Sequence, residues 1–246
     1  MAKVTDVVKG AWAHREILVS LLDEQGMAGE QFRKLRVKLR ALKTATGGSL
    51  VSVVITSPLT GEGKTACAAN LAITLSREKG SRVLLMDCDA RKPRIHEFLE
   101  VTPEHGLLDV LDGHCTDAEA TVSMPGGTLD VISMASAYNA NGHGRPTELP
   151  LERLKKRIAE LTPSYDFIVV DAPPLLPTAD AGGLVNICDG ALLVVRAGTT
   201  PRPAVTRALA SMDKAKLIGF LLNGVPERGM GRYYYKYYSE KEPSKD

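Results

Sequence analysis

Val51-Ser52-Val53-Val54-Ile55-Thr56-Ser57-Pro58-Leu59-Thr60-Gly61-Glu62-Gly63-Lys64-Thr65 opens as a β-branched, nearly unbroken apolar run and closes as a glycine turn. The run is too short for a buried helix and has the composition of a strand covered on both faces. Residues 65–79 then read as a helix. Strand, glycine turn and helix in this order make a backbone cradle for phosphate, because the glycines let successive N–H groups wrap an anion. The helix N-terminus adds positive potential. Lys64 would reach the outer phosphates and the Thr65 hydroxyl would ligate magnesium, with Gly61, Glu62, Gly63 and Ala66 completing the contact surface. The loop departs from the common GxxxxGK[ST] pattern at Pro58, where the first glycine would stand.

Further short apolar runs occupy 83–86, 129–133, 167–170, 191–195 and 217–222. Helical segments are expected at 148–161, 181–187 and 203–214. The alternation predicts an α/β fold, a mostly parallel sheet with helices on both faces, of the P-loop NTPase type. Ligands of such sheets sit beyond the carboxyl ends of the strands. Asp87 and Asp89 follow one strand and Asp171 follows another, so three carboxylates converge on the edge that carries the glycine loop. A lone aspartate there is usually a turn or a cap. Three beside a phosphate loop suit a magnesium shell and a proton acceptor. Asp180 is read as the N-cap of the helix that begins at 181, in preference to a group supporting the site from behind.

Composition narrows the remaining possibilities. A formal charge of +2 on 246 residues gives no reason to expect nucleic acid. Cys67, Cys88, Cys115 and Cys188 are widely spaced, form no CxxC pair and make no zinc pattern with the five histidines. They are expected as buried, reduced thiols of a cytoplasmic protein. No signal peptide is evident and no apolar run approaches the ~20 residues of a membrane span. Attachment to the inner face of a membrane would therefore come through a partner.

Two segments flank the predicted domain at 49–226. Residues 1–48 hold a basic helix at about 27–43, in which Glu30, Arg33 and Arg36 fall at spacing three on one face. Residues 227–246 are polar and glycine-interrupted, and five of the chain's seven tyrosines crowd into Tyr233, Tyr234, Tyr235, Tyr237 and Tyr238. That cluster lacks strand alternation, and its flanks suit a mobile segment.

The set of motifs resembles the bacterial tyrosine kinases of polysaccharide co-polymerase systems. SPLTGEGKT (57–65) is similar to that family's Walker A loop, LLMDCDARKP (84–93) to its A′ motif and FIVVDAPP (167–174) to its Walker B. The stretches 106–111 and 146–149 are similar to further landmarks, although Arg145 stands where the family often has Asn. MinD/ParA-type ATPases share the motif order, but their signature lysine five residues before the loop lysine is Leu59 here. The resemblance implies ATP and Mg2+ as cofactors and autophosphorylation of the tyrosine cluster. It also implies a ring-like homo-oligomer joined through Glu30, Arg33 and Arg36, and a membrane adaptor of the co-polymerase type. Lys64, Asp87, Asp89 and Asp171 are the expected catalytic set. Asp87 is the first choice for the base and Asp89 the second; Thr65, Asp87 and Asp171 are expected near the metal. Asn223, past the last strand, is expected near adenine.

Overall fold

The computed structural model describes Leu18 and residues 26–134 and 149–225. Its centre is a seven-stranded sheet. The strands are β1 (Ser52–Thr56), β2 (Val83–Asp87), β3 (Thr121–Ser123), β4 (Leu129–Ile132), β5 (Phe167–Asp171), β6 (Gly190–Arg196) and β7 (Leu217–Asn223). Their spatial order is β3-β4-β2-β5-β1-β6-β7, parallel throughout except that β3 runs antiparallel to β4. The expected parallel sheet is thus present, with an added three-residue edge strand that the sequence reading did not contain.

Eight α-helices accompany it among the described residues: α1 (Met27–Ala45), α2 (Lys64–Ser76), α3 (Ile95–Phe98), α4 (Leu107–Leu111), α5 (Asp117–Ala120), α6 (Leu151–Leu161), α7 (Asp180–Ile187) and α8 (Arg202–Ala210). Side-chain alternation along the strands splits the core into two layers. Val54, Leu84, Met86, Ile168, Val170 and Leu193 face α4, α6, α7 and α8. Val53, Ile55, Leu85, Val169, Leu192 and Val194 face α2 and, beyond it, Leu39 of α1 and Leu18. Burial of every residue of β1, β2 and β5 follows from this double cover.

α2 is buried on nearly all sides, which its run of small residues permits by letting the helix lie close to the sheet. α1 is different: Phe32, Leu35, Leu39 and Leu42 form its apolar stripe, and cations tie it down. Arg36 donates to the Thr74 carbonyl at 3.0 Å near the end of α2, and Arg40 pairs with Glu78 at 2.8 Å. Arg40 and Lys43 also stand over the Phe167 ring at 4.9 and 5.0 Å.

Asp180 is the first residue of α7, with Ala179 in the cap position and no side-chain cap bond. The expected N-cap is therefore absent; a buried aspartate in the first turn still complements the helix dipole. Of the cysteines, Cys67, Cys88 and Cys188 are buried and free, whereas Cys115 is half-exposed rather than buried. No helix among the described residues is long and apolar enough to cross a membrane.

Candidate nucleotide site

The parallel register places the ends of β1, β2 and β5 side by side, with Ile55 beside Asp171 and Asp171 beside Asp87. Everything that follows those strands meets at one edge of the sheet. The loop after β1 turns through Gly61 (φ 85°) and Gly63 (φ 90°), left-handed conformations that favour glycine. Gly63 is required for space as well, because an added Cβ would lie 2.1 Å from the Asn223 amide nitrogen. α2 begins immediately afterwards, so its unpaired N–H groups point out of the loop.

Lys64 is buried at the centre of three carboxylates. Its Nζ lies 2.7 Å from Asp89 Oδ2 and 3.7 Å from Asp171 Oδ1. Burial alone would lower the lysine's pKa, but Asp171 and Asp89 outweigh it and hold the pKa above the ordinary lysine value. The carboxylates respond in the opposite sense. Burial, with Asp171 alongside, pushes Asp87 up to about 8. Burial also raises Asp171, against the opposing charge of Lys64.

The three acids differ in what holds them. Asp87 accepts the backbone N–H groups of Asp89, Arg94 and Ile95 at 3.1, 3.2 and 3.2 Å, which fastens the turn leading into α3. It does not line the cavity at this edge. Asp89 does line it, and its second oxygen accepts the Lys92 N–H at 3.0 Å. Asp171 is fully buried, and neither carboxylate oxygen has a hydrogen-bond partner by distance and angle. Its close neighbours are the Lys64 ammonium and the Thr65 hydroxyl, a buried carboxylate and a hydroxyl side by side as a cation site needs. Among the described residues no three His, Cys, Asp or Glu side chains cluster as a protein-only metal site. A magnesium ion held by one or two carboxylates and by substrate phosphates needs no such cluster. The residues present therefore fit the ion.

The cavity has a volume of about 660 Å3. Its walls come from the glycine loop with Lys64, Thr65 and Ala66, the segment Asp89–Phe98, residues 174–178, Arg196 at the end of β6, and Asn223 and Gly224 past β7. Such a volume suits a nucleotide. Arg196 and Thr200 were not singled out from the sequence, yet both brace the loop. Arg196 donates to the Gly61 carbonyl at 3.2 Å, and the Thr200 hydroxyl donates to Glu62, whose other oxygen accepts the Leu59 N–H at 2.8 Å. Asn223 belongs to the same brace, donating to the Glu62 carbonyl at 2.9 Å. Its amide nitrogen is thus engaged with the loop, which places it at the cavity wall in a role the sequence did not suggest. Arg196 and Thr200 carried no motif; only their position after a strand end could have drawn attention to them.

The Glu30, Arg33 and Arg36 side chains share the half-buried side of α1. Glu30 and Arg33 pair with each other, and Arg36 is spent on α2. Arg145 and the 146–148 part of the second landmark, together with the tyrosine cluster 233–238, lie outside the described residues.

A parallel sheet with a glycine loop, a lysine–threonine pair at the start of the following helix and acidic strand ends defines a P-loop nucleoside-triphosphate-binding protein. The AAA domain family model matches residues 52–205. Over 239 residues the chain is 32% identical to the tyrosine-protein kinase YwqD of Bacillus subtilis, covering 95% of each. It is 30% identical to the succinoglycan biosynthesis transport protein ExoP of Rhizobium meliloti over 86% of this chain, which spans 28% of ExoP. The kinase domain of the Escherichia coli tyrosine kinase ETK superposes with a TM-score of 0.73 at 25% identity, over 93% of this chain and 89% of that one. The chain belongs to the bacterial tyrosine-protein kinase family, within the AAA-domain P-loop proteins.

Proposed function

We propose that the chain is an ATP-dependent protein-tyrosine autokinase whose acceptors are Tyr233, Tyr234, Tyr235, Tyr237 and Tyr238. The observation that carries this reading is the cavity itself: Lys64 and Asp89 face it from one side, while Gly224, from which the tyrosine segment continues, forms part of its wall. A phosphate-binding face, a carboxylate beside it and a chain that leaves the cavity wall toward the tyrosines together support the reading.

Lys64 and the loop N–H groups take the outer phosphates of ATP, replacing Asp89 and Asp171 as partners of the lysine. Thr65 and Asp171 would hold Mg2+, which supplies charge neutralisation at the β- and γ-phosphates. Asp87 fixes the turn that carries Asp89. We assign the base to Asp89, because it is the carboxylate that reaches the cavity. The tyrosine oxygen attacks the γ-phosphorus, the bond to the β–γ bridging oxygen breaks and ADP leaves. The phenolic proton passes to the Asp89 carboxylate. Positioning and charge account for most of the acceleration in such transfers.

The same reading extends to the assembly. A homo-oligomer joined through the α1 face of Glu30, Arg33 and Arg36 would present one subunit's tyrosines to its neighbour. A membrane adaptor would hold the ring at the inner face of the membrane, where phosphorylation regulates exopolysaccharide or capsule polymerisation or export. ExoP, named for succinoglycan biosynthesis and transport, supports the polysaccharide context.

Intact-mass analysis after incubation with Mg2+ and ATP tests the activity. Successive phosphate additions are expected in the wild type and none in a chain with the five tyrosines changed to Phe. An unchanged wild-type mass would leave an ATPase switch as the better reading. Mixing a Lys64→Met chain with the five-Phe chain tests the route. Asn223 to Tyr233 spans at most about 36 Å, so reach permits transfer within or between subunits. Phosphate on the Lys64→Met chain requires transfer between subunits.

A further inference from the structure

The cavity is asymmetric in charge. Its inner wall holds Asp89 and Lys64, with Asp171 buried behind them. Its outer lip carries Arg91, Lys92 and Arg94, all exposed. Arg91 and Lys92 make no ion pair or side-chain hydrogen bond among the described residues. Arg94 shares its charge with the exposed Glu97 at 3.0 Å. Arg91 and Lys92 hold no part of the fold by charge, and three cations side by side repel one another.

Sheet order says which ligand they face. The phosphate loop follows β1, with β6 and β7 to one side and β5 and β2 to the other. Arg91, Lys92 and Arg94 follow β2, two strands or roughly 10 Å from the loop strand. Lys64 leans the same way, toward Asp89 and Asp171. The outer phosphate of a bound nucleotide therefore points toward the β2 side, and the nucleoside lies toward β6 and β7. The three cations stand on the acceptor's side of the transfer, beyond Asp89.

The C-terminal segment has the chemistry to use them, but only after it has reacted. Residues 227–246 contain five Lys and Arg against four Asp and Glu, a formal charge of +1. One phosphotyrosine adds about −1.5 to −2 and reverses that sign. Neighbouring residues of an extended segment are ~3.3 Å apart, so a tyrosine at Asp89 places phosphotyrosines one to three positions away within about 10 Å, over the lip. We propose that Arg91, Lys92 and Arg94 form a phosphotyrosine subsite, which holds the partly phosphorylated C-terminal segment of this protein while a further tyrosine is presented to the site. The unmodified segment, being cationic, is not held there. Three cations balance about two phosphates, so a more heavily modified segment exceeds the subsite and leaves. This inference rests on the autokinase reading for its ligand.

The test uses the full chain and an Arg91→Ala/Lys92→Ala variant, with Arg94→Ala added in a second variant to separate the Phe98 stacking of Arg94 from its charge. Synthetic peptides of residues 227–246, unmodified or phosphorylated at Tyr233 and Tyr235, are titrated by fluorescence anisotropy. The phosphopeptide is expected to bind the wild type at least about tenfold tighter than the unmodified one, with strong salt dependence. Both variants should lose that preference, and their mass ladder with Mg2+ and ATP should stall at one or two phosphates. Equal binding of the phosphopeptide to wild type and variants overturns the proposal. So does a variant that loses Mg2+·ATP binding with its peptide preference intact, which would assign the cations to the nucleotide. A wild type that takes up no phosphate yet prefers the phosphopeptide leaves the subsite standing and removes the kinase reading instead.

Discussion

Replacing Lys64 with Met removes the one cation at the centre of the site, and the structure gives two separate consequences. At an effective dielectric of ~20, a pair at 2.7 Å attracts by about 6 kcal/mol and one at 3.7 Å by about 4. Most of that offsets the desolvation of buried charges. What is lost when the cation alone goes is about 3–5 kcal/mol, because the buried Asp89 and Asp171 are left without it. For a domain of this size that lowers the melting temperature by on the order of 10 °C. The Lys64 pKa is raised above 10.5, so the lysine stays charged throughout the neutral range and its contribution is present there. The pH dependence comes from Asp87 and Asp171, whose pKa values burial raises: as pH falls they take up protons, and the gap between wild type and mutant narrows. Differential scanning calorimetry at several pH values without nucleotide measures this. The Lys64→Met/Asp89→Asn chain should recover a substantial part of the loss, since one unpaired charge has gone, yet neither chain should incorporate phosphate. A single mutant that melts within about 1 °C of wild type near pH 8 refutes the buried cluster. Phosphate uptake at the wild-type rate refutes the placement of Lys64 on the phosphates.

Three further outcomes follow from the same geometry. Asp87 holds its proton up to about 8 when folded against 3.8 when not. Stability of the nucleotide-free chain should therefore fall as pH rises between those values, while Mg2+·ATP binding, which needs ionised acids, should strengthen. Urea unfolding and calorimetric titration read the two slopes, and parallel slopes would contradict the assignment. Gly63→Ala combines a positive φ with a Cβ 2.1 Å from Asn223. It should cost about 1–3 kcal/mol and weaken ATP binding at least tenfold, measured with a fluorescent nucleotide. Arg33→Ala/Arg36→Ala should reduce self-association in light scattering at equal concentration. Arg36 also bonds the Thr74 carbonyl, so about 1 kcal/mol of stability should go with it.

The sheet was legible because β1, β2 and β5 are buried on both faces, and double burial writes itself into sequence as short unbroken apolar runs. β7 carries the same kind of run but is an edge strand with Phe220 and Leu222 exposed, not the doubly covered strand expected. The long helices were legible by length and composition, and their ends moved by only a few residues. What escaped was too short to carry a period: α3, α4 and α5 have four or five residues each, and β3 has three. A single turn or three residues cannot establish 3.6 against 2. The misplacement of Asp180 has a related cause. Whether an acid stands at N-cap or at the first helical position is a difference of one residue, finer than pattern reading resolves.

The site was legible as a set and illegible in its division of labour. Motif order brings Lys64, Thr65, Asp87, Asp89 and Asp171 to one edge, since all follow parallel strands. Which acid meets the cavity depends on backbone N–H groups that have no sequence signature. Asp87 is tied by the N–H groups of Asp89, Arg94 and Ile95, two to eight residues downstream, and it faces inward because the chain doubles back over it. Asp89, one turn farther on, is left facing the cavity. Two aspartates separated by a single cysteine look interchangeable in the string Asp87-Cys88-Asp89. They become a fastening and a candidate base only when the turn after β2 closes, and that same turn carries Arg91, Lys92 and Arg94 out to the lip. Substituting Asp87 with Asn should then disturb peptide binding at the lip as well as transfer, whereas Asp89→Asn should abolish transfer and leave the lip in place. Phosphopeptide anisotropy on the two variants separates these outcomes, and an equal effect on both would return the two aspartates to a single shared role.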